Sequence, residues 1–369
     1  MIQKKGNKLM DMTLRWFGKK HDSVKLEYIK QIPGVTGVVS SLHDVPAGEP
    51  WKLEDILELK KEVEKAGLKL IGIESVNIHE DIKIGLPSRE KYIENYKISL
   101  ENLGKADVHM VCYNFMPIFD WTRTELAKQL EDGSYVMAYD ENIIKGIKPE
   151  TMFERMEKES GGFILPGWEP NRRDEIMDLF EKYKGVTKEK LMENLKYFLD
   201  AIMPVCEKYQ IKMALHPDDP AWSVFGLPRI VTSEKALEEI ALLNDSIYNG
   251  FTLCTGSLGS NLNNNLPQII RNPKISNRIH FVHLRNMKFE SDGVFYESSH
   301  LSCDGNFDMY EIVKALYDIG FDGVVRPDHG RMIWDEQARP GYGLYDRALG
   351  VAYLNGLWEA IRKNDKSNK

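Results

Sequence analysis

Eight short runs rich in valine, isoleucine and leucine recur along this chain, separated by longer amphipathic stretches. A run that is apolar throughout suits a parallel strand covered on both faces, whereas a half-exposed strand alternates polar and apolar residues. The runs fall at residues 13–17, 35–40, 69–74, 108–113, 211–215, 250–254, 280–284 and 323–326. Between them, residues 53–66 place Leu53, Ile56, Leu57 and Val63 at helical spacing, and Gly67 follows as a C-terminal cap. Ser88 is placed to cap a helix through Leu103, with Gly104 after it. Thr187 opens a long helix towards Cys206, Asp308 and Glu311 have capping-box spacing, and residues 345–362 form a last amphipathic helix.

Alternating strand and helix means a parallel sheet, and eight rounds favour closure over an open doubly wound sheet. The fold class expected is therefore α/β: a single (β/α)₈ TIM barrel over residues 11–369, with residues 1–10 as a basic leader outside it. The interval between the fourth and fifth runs is too long for one loop and helix. It predicts an insertion at about 115–185, helical, lying over the C-terminal face as a lid or a dimer contact. Its aromatic and charged stretches at 119–123 and 165–168 fit that place.

No G-x-G-x-x-G follows an early strand and no Walker phosphate loop occurs, which removes support from nucleotide-binding folds. The net charge of −7, from 49 basic and 56 acidic residues, leaves no footprint for nucleic acid. No run approaches the ~20 apolar residues of a membrane span, and no apolar signal region follows the basic start. Four scattered cysteines without a CxxC suit a reducing cytoplasm.

The chemistry lies where the later strands stop. The fifth run leads into His216, the sixth ends at Cys254, the seventh carries His283 and the eighth leads into Asp328. In a barrel those positions ring one mouth. Each alone has an ordinary structural use, but four on four successive strand ends point to a shared divalent metal. His280 lies on the same run as His283, faces the other way and is the poorer ligand. Arg15 with Trp16, Asn77 with His79, and Asn114 add polar groups at the same mouth. Arg15 and Arg285 are the candidates for an anionic group, because guanidinium matches a carboxylate bidentately; an ion pair within the barrel is the competing use.

Longer motifs then carry a resemblance: Ser75-Val76-Asn77-Ile78-His79-Glu80-Asp81-Ile82-Lys83, Tyr113-Asn114-Phe115-Met116-Pro117, Asp120-Trp121-Thr122-Arg123-Thr124 and His216-Pro217-Asp218-Asp219-Pro220. Cys254-Thr255-Gly256-Ser257-Leu258-Gly259, Phe281-Val282-His283-Leu284-Arg285-Asn286, Glu297-Ser298-Ser299-His300-Leu301, Arg326-Pro327-Asp328-His329-Gly330-Arg331 and Pro340-Gly341-Tyr342-Gly343-Leu344-Tyr345 continue it. In these blocks the chain resembles the mannonate dehydratases of the xylose-isomerase-like barrel group, over nearly all of its length beyond the leader.

The resemblance implies dehydration of D-mannonate to 2-dehydro-3-deoxy-D-gluconate in hexuronate and glucuronate catabolism, by a hydro-lyase. It implies a Mn²⁺ or Fe²⁺ cofactor on His216, Cys254, His283 and Asp328, and catalytic roles for His329 and Tyr342. It adds Ser299, His300 and Arg331 to the substrate-binding candidates, and suggests a homo-oligomer, a dimer or higher. His329 follows a ligand directly, and imidazole titrates near working pH; Tyr342 sits in a Gly-Tyr-Gly turn. Which of the two is acid and which is base stays open at this level. The rival readings are a metal-dependent sugar isomerase or epimerase, a phosphoesterase, and a non-catalytic sugar-acid binder, and the reaction product separates them.

Overall fold

In the computed structural model, which describes residues 10–159 and 172–365, each of the eight expected runs is a barrel strand, with ends shifted by at most two residues. In chain order the strands are β1 (Asp11–Arg15), β2 (Val35–Ser40), β3 (Lys69–Glu74), β4 (Met110–Tyr113), β5 (Glu125–Gln129) and β6 (Tyr135–Asp140). Then come β7 (Lys212–Leu215), β8 (Asn249–Cys254), β9 (Ile279–Leu284), β10 (Met287–Ser291), β11 (Val294–Glu297) and β12 (Val324–Pro327). The closed parallel barrel takes β1, β2, β3, β4, β7, β8, β9 and β12, and β12 pairs back onto β1 at Asp11–Val324 and Met12–Val325.

Most of the apolar core lies between the strands and the surrounding helices, where Leu195, Phe198 and Leu199 of the helix Lys188–Tyr209 are fully buried. A small separate cluster of Val39, Met110, Cys112, Ala214 and Phe281 joins residues of four barrel strands. Packed side chains, not a pore, therefore fill this part of the barrel.

The expected insertion contains helices at Glu141–Gly146, Pro149–Glu159 and Arg173–Tyr183, but it opens with the hairpin β5–β6, which periodicity did not reveal. The stretch at 165–168 and the leader up to residue 9 lie outside the described residues. β6 pairs antiparallel with β11, giving a four-stranded sheet in the order β10-β11-β6-β5. Half of this accessory sheet comes from the insertion and half from the hairpin after β9. It has its own core, with Phe119, Leu126, Met137, Tyr139 and Phe295 buried together. An isolated bridge from Trp121 to Asp219 and another from Tyr135 to Met332 tie it to segments that follow β7 and β12.

Two expected helix ends differ. Ser88 does not cap: its hydroxyl donates to Asp81 Oδ2 at 2.6 Å, and the helix Arg89–Lys105 begins without a side-chain cap. Gly104 lies inside that helix, where a Cβ would sit 2.5 Å from Tyr209 Cβ. It allows two helices to approach closely and does not end one. Thr187 and Asp308 do cap as expected, accepting from Lys190 N and from Tyr310 N and Glu311 N.

Glycine at two positions gives opposite expectations. Gly85 has φ +84° and its Cβ would meet the Asn194 side-chain oxygen at 2.5 Å, whereas Gly146 at a helix end has open space around it. Gly85→Ala is expected to lower unfolding free energy by more than about 1 kcal/mol, and Gly146→Ala to leave it unchanged or raise it by roughly 0.5 kcal/mol. Denaturant midpoints of the two variants check this.

Candidate active site

The barrel's C-terminal mouth holds a cavity of about 370 Å³. Its lining includes Arg15, Glu74, Asn77, Asn114, Trp121, His216, Asp219, Arg285, Arg326, Asp328, His329 and Tyr342. Each arrives from a strand end or from the segment just after one, because parallel strands all stop at the same face.

Local structure aims the four metal-competent residues. His216 continues the β4–β7 ladder through its N–H to Tyr113 O at 2.7 Å, and its ring Nδ1 lies 2.8 Å from Pro217 O. A carbonyl only accepts, so Nδ1 carries a hydrogen and Nε2 is the ring nitrogen turned towards the other donors. Nε2 faces His283 Nδ1 at 3.2 Å. Cys254 is the last residue of β8 and the N-cap of the short helix Thr255–Gly259. Its sulfur accepts from Ser257 N at 3.5 Å and lies 3.1 Å from Ser257 Oγ. The ligand atoms of His216, Cys254 and His283 all lie within 4.8 Å of one another. Asp328 adds oxygens 3.7 Å from Cys254 Sγ and 3.7 Å from His283 Nδ1.

Two imidazoles, a thiol and a carboxylate converging in a buried spot fit a divalent transition cation, with coordination positions to spare. His216 Nε2 and His283 Nδ1 stand 3.2 Å apart, and His216, Cys254 and His283 each turn a ligand atom to within 4.8 Å of the others, so one cation could be reached by all three. Burial and the neighbouring Arg326 hold His283 well below the usual imidazole range, so it stays a neutral donor. His283 Nε2 is buried without a hydrogen-bond partner and faces Glu74 Oε2 at 3.8 Å. Glu74, Cys112 and His283 form a second close group sharing that histidine.

Beside the donor group stands a line of proton-bearing residues. His329 Nε2 lies 3.0 Å from the Tyr342 hydroxyl, and Nδ1 lies 2.7 Å from Glu297 Oε1. Trp121 packs against the His329 ring and Phe17 packs edge-on against Tyr342, and all four line the cavity. Burial pushes the Tyr342 phenol well above its ordinary range, so it keeps its proton at neutral pH.

Arg285 takes the structural use. It is 1% exposed and contacts Asp219, Glu297 Oε1 at 2.6 Å and Asp328 Oδ2 at 3.1 Å. Gly256 makes room for it, since a Cβ there would overlap the guanidinium. Arg15 lines the cavity 3.5 Å from Glu74 Oε2, and Asn77 and Asn114 line it as well. Five expected substrate contacts stand away from the lining. Trp16 is buried with its indole N–H donating to Val24 O, and His79 caps the helix Glu80–Ile84 and stacks on Tyr92. Ser299 accepts from Leu301 N, His300 faces Leu284 O, and Arg331 pairs with Asp346 and Asp132. His280 faces Ile247 O, turned away from His283.

Sequence reasoning missed Glu74, Asp219, Glu297 and Arg326. Arg326 had a signal: it stands two residues before Asp328, on the same side of an extended chain, and its guanidinium contacts Asp328 and Glu74 at 2.7 Å. Periodicity gave no signal for Glu297, which arrives behind His329 on the accessory sheet, although it opens the motif that supplied Ser299 and His300.

Comparison with known proteins now gives these side chains a family. The family model for D-mannonate dehydratase (UxuA) matches residues 10–368. The chain belongs to the mannonate dehydratase family. A relative named mannonate dehydratase from Brachyspira hyodysenteriae is 61% identical over 357 residues, covering 97% of this chain and 100% of the relative. The crystal structure of mannonate dehydratase from Streptococcus suis serotype 2 superposes with a TM-score of 0.86 at 45% identity, covering 97% of this chain and 95% of that one. A D-tagatose 3-epimerase-like protein, at 15% identity and a TM-score of 0.55 over 96% of this chain and 99% of its own, shares the fold alone. No helix among the described residues is long and apolar enough to cross a membrane.

The ion network predicts a stability effect. Arg123 is fully buried, pairs with both oxygens of Asp219 and reaches Glu297 at 2.9 Å. Arg123→Met leaves those carboxylates underpaired and is expected to cost about 3–5 kcal/mol in chemical denaturation.

Proposed function

We infer that this chain dehydrates D-mannonate to 2-dehydro-3-deoxy-D-gluconate. The observation that carries the reading is the buried His329–Tyr342 pair, 3.0 Å apart, standing directly beside a four-residue donor group in a member of this family.

His216, Cys254, His283 and Asp328 are the residues that would hold the cation, Mn²⁺ or Fe²⁺ by their mixed nitrogen, sulfur and oxygen character. When bound, a divalent cation supplies Lewis-acid stabilisation for negative charge developing beside the substrate carboxylate. Charge balance supports a monoanionic substrate. In the buried network Arg15, Arg123, Arg285 and Arg326 face Glu74, Asp219, Glu297 and Asp328, four against four. A divalent cation is then offset by the Cys254 thiolate and one substrate carboxylate.

The side chains divide the proton transfers. His329 Nε2 takes the C2 proton, and the Tyr342 phenol, kept protonated by burial, donates to the departing C3 hydroxyl so that it leaves as water. The resulting enol becomes the 2-keto acid by protonation at C3. The proton on His329 can return to Tyr342 across their 3.0 Å contact, which resets both residues. Arg285, held by three carboxylates, orients these groups and is not free to clamp the substrate.

The test is to incubate the Mn²⁺-loaded protein with D-mannonate and assay the keto-deoxy acid. An isomeric sugar acid as product would replace the reading with an isomerase. His329→Asn and Tyr342→Phe are each expected to lower kcat by at least about 100-fold with bound metal retained; near-normal turnover of His329→Asn would remove it from the chemistry. Cys254→Ala is expected to lose bound metal, measured by elemental analysis. Mild peroxide should lower activity, recoverable with a thiol reductant plus Mn²⁺.

A further inference from the structure

The carboxylate behind His329 does not come from the barrel. We propose that Glu297 is a positioning residue for the reaction, holding His329 in the tautomer whose Nε2 is bare and turned towards Tyr342 and the cavity.

The argument is one of hydrogens. Glu297 is completely buried, and its Oε1 lies 2.9 Å from Arg123 Nη2, 2.6 Å from Arg285 Nη1 and 2.7 Å from His329 Nδ1. The guanidiniums can only donate, and a neutral imidazole has a single N–H. A bare Nδ1 at 2.7 Å would set its lone pair against a carboxylate oxygen, so the hydrogen sits on Nδ1. Nε2 is then free to accept from the Tyr342 hydroxyl at 3.0 Å, or from substrate. Arg285 Nη1 also lies 3.0 Å from Nδ1, and both groups donate to the same oxygen. Burial favours a protonated Glu297, but the Arg285 and Arg123 charges and the hydrogen bond from His329 outweigh it and keep the carboxylate ionised. It therefore serves as a fixed acceptor and never as the base itself.

The supply line for this residue is the accessory sheet. Glu297 ends β11, which pairs with β6 of the insertion through Tyr296–Ala138 and with β10 through Glu297–Met287. Arg123, two residues before β5, ties the same oxygen to Asp219. The insertion thus acts on the chemistry without lining up a catalytic residue of its own, by fixing the carboxylate that orients His329. The proposal rests on the reading of His329 as the proton acceptor.

Holoenzyme variants test it. Glu297 Oε2 has no hydrogen-bond partner, so Glu297→Gln can place its amide nitrogen there and keep its oxygen towards His329 while removing the charge. It is expected to lower kcat for D-mannonate by roughly 100-fold or more, with KM within about threefold and bound Mn²⁺ unchanged. Glu297→Asp keeps the charge opposite both arginines, and so the fold, but withdraws the oxygen from Nδ1; kcat is expected to fall at least about tenfold, again with little change in KM. In a His329→Asn background, Glu297→Gln should change the residual kcat by less than about threefold, because residues acting as one unit are not additive. The proposal is overturned if either Glu297 variant keeps more than about half of the wild-type kcat. It is also overturned if kcat falls only in proportion to metal lost, or if the penalty is the same with and without His329. Where the His329→Asn turnover is below detection, the split between kcat and KM in Glu297→Asp decides. A near-normal His329→Asn would instead sink the assignment of His329, whereas an inactive His329→Asn beside an unimpaired Glu297→Gln removes Glu297 alone.

Discussion

One guanidinium holds the mouth of this barrel together. Arg285 stands just beyond β9 and gathers Asp219 from the segment after β7, Glu297 from β11 and Asp328 from the end of β12. Taking an ion out of water costs several kcal/mol, and a buried cation persists only where close carboxylates offset that cost. Here the offset comes from three separate elements, so the ion cluster also fixes how those elements sit against one another. Gly256 belongs to the same constraint, because only a residue without Cβ lets the guanidinium lie across the start of the next helix.

The donor group and the proton-handling pair are joined through two adjacent residues. Asp328 faces Cys254 and His283, while His329 faces Glu297 and Tyr342. Successive side chains at a strand end point to opposite sides, so a single step along the chain separates the contacts to Cys254 and His283 from those to Glu297 and Tyr342. The Tyr342 loop is fixed by the fully buried Arg347, which donates to the carbonyls of Tyr342, Gly343 and Arg15. The phenol's place is therefore set by backbone contacts beneath it and by the Phe17 ring against it.

The barrel was legible because its signal is local. Runs such as 35–40 and 250–254 are mainly apolar and mostly buried, and Gly67 marks the end of the helix Leu53–Lys65. The convergence of His216, Cys254, His283 and Asp328 followed from the fold, since parallel strands deliver their ends to one face. The accessory sheet was not legible, because β5 and β10 are polar and only partly buried, and the β6–β11 pairing joins segments about 150 residues apart. Ser88 failed as a cap for a related reason: Asp81, on the preceding turn, competes for its hydroxyl.

Sequence alone determined the architecture, the convergence of His216, Cys254, His283 and Asp328, and the family resemblance, because periodicity, strand ends and motif order are written along the chain. Which polar side chains face the cavity was decided only by tertiary structure. Trp16, His79, Ser299, His300 and Arg331 are polar or polar-tipped groups near strand ends, yet each turns to a neighbouring carbonyl, N–H or carboxylate instead. Glu74, Asp219 and Arg326 take the places at the mouth, with Glu297 behind His329, because a buried charge goes where opposite charges meet it. That meeting depends on segments distant in sequence, and no local pattern encodes it.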